Sequence, residues 1–236
     1  MKNSFKRIDA HLSTLGYCSR SEAAAFLKKH QVSSGGVRVR DVKCKVFHTN
    51  VLVDGKELDP ETLTLLMNKP EGVICSHNDA GKLIYSLLPQ RWQRRNPKLS
   101  TIGRLDIDTT GAILLTDDGG LNHKLTSPKS KAPKVYEAIL AASLKGDEAE
   151  IFASGRLMLH GEKKPLLPAK MEVLSEKKAR LEICEGKYHQ VKRMFAATGN
   201  KVVALHRVSF NGCDVDDLEP AQYKLLMLHS DEYNLE

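Results

Sequence analysis

The spacing of apolar and polar positions divides the chain into a short, partly helical opening and a long strand-rich remainder. Ile8, Leu12 and Leu15 fall at helical spacing, and Gly16 supplies a left-handed stop. Ser19-Arg20-Ser21-Glu22 forms an S-x-x-E capping box, and the Ala23–Lys29 run behind it favours helix, so a second helix is predicted from about Arg20 to Lys29. Gln31–Val39 reads as a hairpin about Gly35-Gly36, and Val51-Leu52-Val53 as a strand turned by Asp54-Gly55. Leu58-Asp59-Pro60-Glu61-Thr62 is polar and carries a proline, which places a boundary there and predicts two units, 1–59 and 60–236. In the second unit, strands are predicted at Leu63–Met67, stopped by Asn68-Lys69-Pro70, and at Ala112–Thr116, Val135–Leu140, Ala169–Leu174, Ala179–Cys184 and Val202–Leu205. Helices are predicted at Asp147–Ser154 and Tyr188–Thr198. Several of these strands alternate apolar and polar positions, the pattern of an antiparallel sheet with one covered face. The predicted class is therefore α+β, a small α/β head followed by a mixed, mainly antiparallel body with a central cleft, and not a βαβ nucleotide-binding fold.

Composition narrows the picture. With 236 residues, 41% hydrophobic and 28% charged, the chain is neither disordered nor fibrous. Its longest apolar runs, such as Ala112–Leu115, fall far short of the roughly 20 residues of a membrane span, and Met1–Arg7 lacks an apolar signal core. A cytoplasmic protein with no membrane partner is expected. The net charge of +7 is uneven: residues 1–59 hold 11 basic and 6 acidic side chains, residues 60–236 hold 25 and 23. A basic head on a nearly neutral body suits a module that grips a polyanion, although a solvated basic surface gives the same count. The five cysteines (Cys18, Cys44, Cys75, Cys184 and Cys213) are widely spaced, and His123, His189 and His206 lack metal-ligand spacing, so neither a disulfide frame nor a metal is expected. Arg91, Arg94, Arg95 and Lys98 around Trp92 form either a second phosphate contact or a solvated basic loop.

The chemistry is concentrated in Gly103-Arg104-Leu105-Asp106-Ile107-Asp108-Thr109-Thr110-Gly111, which runs into Ala112-Ile113-Leu114-Leu115-Thr116-Asp117-Asp118-Gly119. Taken alone, Asp106 and Asp108 do no more than satisfy turn backbone, as Asp commonly does before Thr and Gly. The whole string, however, resembles the signature of the pseudouridine synthases of the RsuA/RluA superfamily, in its RsuA-branch form. Met67-Asn68-Lys69-Pro70-Glu71-Gly72 resembles the N-K-P-x-G block of that family. Glu185-Gly186-Lys187-Tyr188-His189-Gln190-Val191-Lys192-Arg193-Met194-Phe195 resembles its E-G-[KR]-x-[HR]-Q-[VI]-[KR]-R-M helix start. The head resembles the S4 RNA-binding domain in Arg7-Ile8-Asp9, Ser19-Arg20-Ser21-Glu22-Ala23, the small hairpin at Ser34-Gly35 and Val53-Asp54-Gly55. Ser127-Pro128 and the His189–Ala197 run look most like the small-subunit (16S) rRNA branch.

The resemblance implies isomerisation of a uridine within RNA, without a cofactor. The bond from ribose C1′ to uracil N1 breaks, the base turns, and C5 joins C1′. The implied substrate is 16S rRNA, by resemblance the uridine at position 516, either free or in a partly assembled small subunit, and the enzyme is expected to act as a monomer. A 23S rRNA target, or an idle RNA-binding assembly factor, is the alternative. Asp106 matches the family's catalytic aspartate, acting as a nucleophile at the sugar or as a base towards a sugar proton. Either role needs the anion, which a neighbouring cation favours. Arg104 matches the arginine that fills the space left by the flipped base, and Tyr136, in Lys134-Val135-Tyr136, matches the tyrosine that stacks on it. Lys192 occupies a slot that is arginine in many relatives, and either it or Arg193 is expected to face Asp106. RNA contacts are expected from Arg7, Arg20, Lys28, Lys29, Arg38 and Arg40 in the head, and from Lys69, Lys187 and His189 in the body.

Overall fold

A computed structural model describes residues 3–226; Met1, Lys2 and the last ten residues of the predicted second unit lie outside the described residues. The chain opens with β1 (Phe5–Arg7), α1 (Ile8–Thr14) and α2 (Ala23–Lys29). The strands β2 (Val32–Ser34), β3 (Val37–Arg38), β4 (Lys45–Phe47), β5 (Val51–Val53) and β6 (Lys56–Glu57) follow. Gly16, at φ +79°, ends the first helical segment in the left-handed region, and a Cβ there would collide with the carbonyl oxygen of Arg91. The capping box forms, with Ser19 N–H donating to Glu22 Oε2 at 2.8 Å, but it closes a turn and the regular helix starts only at Ala23. Both hairpins are two-residue turns in the left-handed region, Gly35-Gly36 and Asp54-Gly55, a turn whose twist matches the strands it joins. Ile8, Leu12, Leu15, Leu27, Val32 and Val51 are the centre of an apolar core confined to this part of the chain.

The remainder is built on a nine-stranded sheet. Its elements are β7 (Thr64–Lys69), α3 (Gln90–Gln93), β8 (Ser100–Thr101), β9 (Thr109–Thr116), α4 (Gly119–Thr126), β10 (Lys134–Leu140) and α5 (Glu148–Ala153). They continue with β11 (Lys170–Ser175), β12 (Lys178–Ile183), α6 (Gln190–Ala197), β13 (Val202–Phe210), β14 (Cys213–Asp214) and β15 (Tyr223–Leu225). The main order is β11-β12-β10-β13-β9-β7-β15, with β14 beside β13 and β8 beside β9. Every pairing is antiparallel except β13 with β9. This is the expected mixed α+β architecture. Helix α4, β1 and β15 are among the additions the apolar pattern does not reveal: α4 buries only Leu121 and Leu125, and the two strands have three residues each.

Burial explains which strands alternate. β7 and β9 are covered on both faces: Leu65, Met67, Ile113 and Leu115 enter one core, while Leu66, Ala112 and Leu114 enter the other. Their sequences are accordingly continuous apolar runs. In β12 only Ala179, Leu181 and Ile183 are buried, and the intervening Lys178, Arg180 and Glu182 face solvent. β7 also continues through Asn68 and Lys69, where a stop is predicted, since pairing with β9 extends to Lys69 opposite Gly111. No helix among the described residues is long and apolar enough to cross a membrane.

The two parts meet through polar contacts. Arg91 Nη2 and Trp92 Nε1 donate to the two carboxylate oxygens of Asp59, at 2.8 and 2.9 Å, and Arg91 lies over the Tyr17 ring. Arg95 is buried against Asp117. The arginines around Trp92 are therefore not a uniform RNA-facing loop. Arg91 and Arg95 are structural ties, and only Arg94 and Lys98 are exposed.

Candidate active site

The register places one transverse row of residues across five strands: Lys69, Gly111, Arg207, Tyr136 and Leu181. Gly111 is required in it. At φ +105° it favours glycine, and a Cβ would strike the Arg207 backbone, so this residue lets β9 and β13 approach in parallel. Beside that row lies the loop between β8 and β9, anchored by buried Ile102 and Leu105. Its backbone is held from within the fold. Lys69 Nζ donates to the carbonyls of Pro70, Ile107 and Thr109, at 3.1, 3.3 and 2.8 Å, and Gly72 N–H donates to Ile107 O at 2.8 Å.

The expectation that Lys69 contacts RNA is thereby corrected. Lys69 is 0% exposed, and its ammonium is spent on three backbone oxygens. Burial pushes its pKa below the usual lysine value, against the opposing pull of the Cys75, Asp108 and Asp106 charges.

Helix α6 brings the cation. Val191, Met194 and Phe195 bury one face in the core, which leaves Lys192 at the loop. Lys192 Nζ donates to Asp106 Oδ2 at 3.2 Å and to Asp108 Oδ1 at 2.7 Å. Burial works against the Lys192 ammonium, but the hydrogen bonds to Asp108 and Asp106 outweigh it and raise its pKa above the ordinary lysine value. The bond from Lys192 in turn holds the Asp108 carboxyl below its usual range. The other Asp106 oxygen faces His189 Nε2 at 3.2 Å. His189 sits at φ +47°, just before the first helical residue, with its ring stacked on Tyr188 at 3.8 Å.

Arg193 does not face Asp106. Its guanidinium donates to Glu162 Oε1 and Tyr188 O, each at 3.0 Å, and to His160 O at 2.5 Å, so it ties the loop before β11 to the start of α6. One helical position separates it from Lys192, about 100° of rotation, and only one of the two can meet the carboxylate. Lys187 joins the same cluster, 3.5 Å from Glu162. Tyr136 is 8% exposed, and its hydroxyl accepts from Arg207 Nη1 at 3.4 Å. Arg104 is exposed and makes no hydrogen bond or ion pair within the described chain.

Asp108 and His189 were not read from the sequence as partners of Asp106. The signal for Asp108 is its two-residue spacing from Asp106; His189 precedes the first helical residue in a left-handed conformation, so helical spacing does not announce its place beside Asp106. In the head, Arg20, Lys28, Lys29, Arg38 and Arg40 are all exposed and take part in no ion pair among the described residues. Arg7 differs, with both its Nε and Nη2 donating to Asp9, at 3.1 and 2.6 Å. No group of three or more His, Cys, Asp or Glu side chains among the described residues is placed to hold a metal ion. A shallow cavity lined by Lys145, Asp147, Ile151 and Ala197–Gly199 lies at the opposite end of α6 and contains none of these groups.

The arrangement is a partly buried carboxylate whose two oxygens face different nitrogen groups, on a loop fixed from below, with an aromatic ring on the adjoining row and an unpaired arginine in the loop. Residues 63–197 match the family model described as RNA pseudouridylate synthase. Two curated proteins, each named ribosomal small subunit pseudouridine synthase A, are 40% identical to the chain. The protein from Vibrio cholerae matches over 230 residues (93% of this chain, 95% of that protein), and the one from Escherichia coli K12 over 227 (93% and 96%). A solved structure described as a pseudouridylate synthase superposes with a TM-score of 0.65 at 36% identity, covering 97% of this chain and 98% of that one.

Proposed function

This chain belongs to the RNA pseudouridylate synthase family, and from that premise we propose that it converts a uridine of small-subunit (16S) ribosomal RNA to pseudouridine, with Asp106 starting the reaction. The observation that carries the assignment of roles is the Lys192–Asp106 contact at 3.2 Å, which joins two motif blocks 86 residues apart in the chain. Lys192 and His189 orient the carboxylate, whose anion is needed both to attack the sugar and to take a sugar proton. The N1–C1′ bond breaks, the uracil turns, the C5–C1′ bond forms, the C5 proton leaves and the freed N1 takes one up. Atoms are conserved, so the residues supply position and charge without a cofactor. Arg104, free of partners, enters the space of the flipped base, and Tyr136 carries the ring on which that base rests. Arg193, engaged with Glu162, is assigned to holding the loop and not to the carboxylate.

Residues 1–59 act in this reading as an S4-like RNA-binding domain, and residues 60–236 as the catalytic domain. The separate apolar core of the opening segment and its five exposed, unpaired basic side chains support that division. The protein is proposed to work in the cytoplasm as a monomer on free or partly assembled subunit RNA.

The test is tritium release from 5-tritiated uridine in 16S and 23S transcripts, each offered naked and with ribosomal proteins. Release from 16S alone is expected. Release from 23S alone overturns the target, and silence on all four substrates with RNA binding intact leaves an RNA-binding assembly factor in its place. Two variants check the parts. Lys192→Met is expected to lower kcat about 10²-fold, with Lys192→Arg recovering part of it because a cation returns. Full activity in Lys192→Met would remove the lysine from the mechanism. Neutralising Arg20 and Lys28 together is expected to reduce the slope of log affinity against log salt by about two, as befits two lost phosphate contacts.

A further inference from the structure

Arg207 and Lys134 have no place in the chemistry above, yet they are a costly pair for the fold to carry. Arg207 is 2% exposed, its Nη2 has no hydrogen-bond partner, and no carboxylate pairs with it among the described residues. Its Nε donates to Ala112 O at 2.6 Å and its Nη1 to the Tyr136 hydroxyl. Lys134, half-buried at the start of β10, likewise has no ion-pair partner and donates only to Ala132 O at 2.6 Å. Both cations lie over one ring, Phe210, with Lys134 Nζ 5.4 Å and Arg207 Cζ 5.0 Å from its centroid. Glu185 is the nearby acid, but its Oε1 already accepts from Leu167 N–H and Gln190 Nε2. Two like charges, one buried and one half-buried, with no ion-pair partner repel and are poorly solvated, a state the free protein tolerates at a cost in stability. Burial first, and the Arg207 charge second, press Lys134 down to about 8.

Lys134 stands two residues before the tyrosine assigned to the flipped base; the pairing of β10 with β12 is regular across that step, that of β10 with β13 shifts register between Val135 and Tyr136, and Arg207 reaches both Phe210 and the Tyr136 hydroxyl. The missing partner is therefore an anion that arrives with the substrate.

We propose that Lys134, backed by the buried Arg207, is a phosphate subsite that receives a backbone phosphate of the RNA strand next to the target nucleotide. The inference rests on the RNA-modifying reading of the site and adds a specific contact to it. Lys134 provides the accessible ammonium, and Arg207 provides a fixed positive charge behind it that water screens little. The phosphate neutralises the pair only in the complex, so the strand that follows the flipped base is held in register with Tyr136.

The experiment compares the full-length protein with Lys134→Met, which keeps the stem on Phe210 and removes the charge, and with Lys134→Arg. Affinity for the 16S transcript is measured across a salt series, and the free proteins are melted. For Lys134→Met we expect affinity to fall about tenfold and the salt slope to drop by about one, with Lys134→Arg close to wild type. The free Lys134→Met protein is expected to melt about 2–4 °C higher, because an unpaired, half-buried charge is gone. A lysine that is merely structural gives the opposite pair of results, a lower melting temperature with affinity and slope unchanged, and that result overturns the subsite. A wild-type protein that binds no rRNA overturns the underlying reading instead, and is distinguished by failing before any variant is compared.

Discussion

Asp106→Asn is expected to abolish tritium release from the 16S transcript, by about 10⁴-fold, while RNA affinity stays within about threefold of wild type. The two halves of this expectation have separate causes. An amide is nearly the same size as the carboxylate and keeps one acceptor oxygen, enough for Lys192, with its NH2 taking the place of the oxygen that faces His189, so the loop, fixed by Lys69 and Gly72, keeps its path. Lys192 also retains Asp108 at 2.7 Å, which keeps α6 in place. What is lost is the negative charge that attacks the sugar or takes its proton, and nothing else in the cluster replaces it: Asp108 is tied to Lys192 more tightly than Asp106 is. Affinity survives because it comes chiefly from phosphate contacts elsewhere on the surface. Single-turnover assays at saturating enzyme, run beside filter binding, separate the two. Wild-type turnover in this variant would remove Asp106 from the reaction.

Arg95→Ala is expected to be the most destabilising of the substitutions considered, at about 3–5 kcal/mol, or a fall in melting temperature of about 10 °C. The Arg95 and Asp117 side chains are 0% and 3% exposed, with Nε and Oδ2 2.6 Å apart. Arg95 Nη2 also donates to Pro60 O and Glu61 O, and Asp117 Oδ1 accepts from Leu63 N–H, so one buried pair joins the connecting segment, the start of β7 and the end of β9. Removing the arginine strands a buried carboxylate and takes the donor from two partly buried carbonyls. The large effect measures that uncompensated burial, and not the net worth of the pair. Arg95→Met combined with Asp117→Asn is expected to cost less than the sum of the single changes, since the orphaned charge is absent from the double variant. The salt slope of RNA binding should not move in Arg95→Ala. A reduced slope with unaltered stability would return Arg95 to the RNA-contacting surface.

Much of this molecule is legible from short stretches of chain. The hairpin at Gly35-Gly36, the capping box at Ser19–Glu22, the strands of the body and the apolar face of α6 follow from spacing and turn chemistry. Those are local properties, decided over a few residues by backbone geometry and by which side chains must leave water. The aspartate loop is legible for a related reason: its residues are consecutive, so the motif is read in one segment. The choice between Lys192 and Arg193 was not legible. Both lie in the same helical turn with the same charge, and the rotation of α6, set by where Val191, Met194 and Phe195 bury, selects the lysine. Nor does the sequence distinguish a lysine for RNA from one for the fold. Lys69, Lys134 and Arg95 all appear in chain segments that look polar or mixed, yet strand pairing encloses Lys69 under three carbonyls and Arg95 against Asp117, and sets Lys134 beside Arg207 with no acid to match. The sequence by itself therefore determined most of the elements, the family motifs and the candidate for the reactive carboxylate. Only the tertiary structure decided the partner of each charge, because that depends on which strands meet and on how much water remains between them.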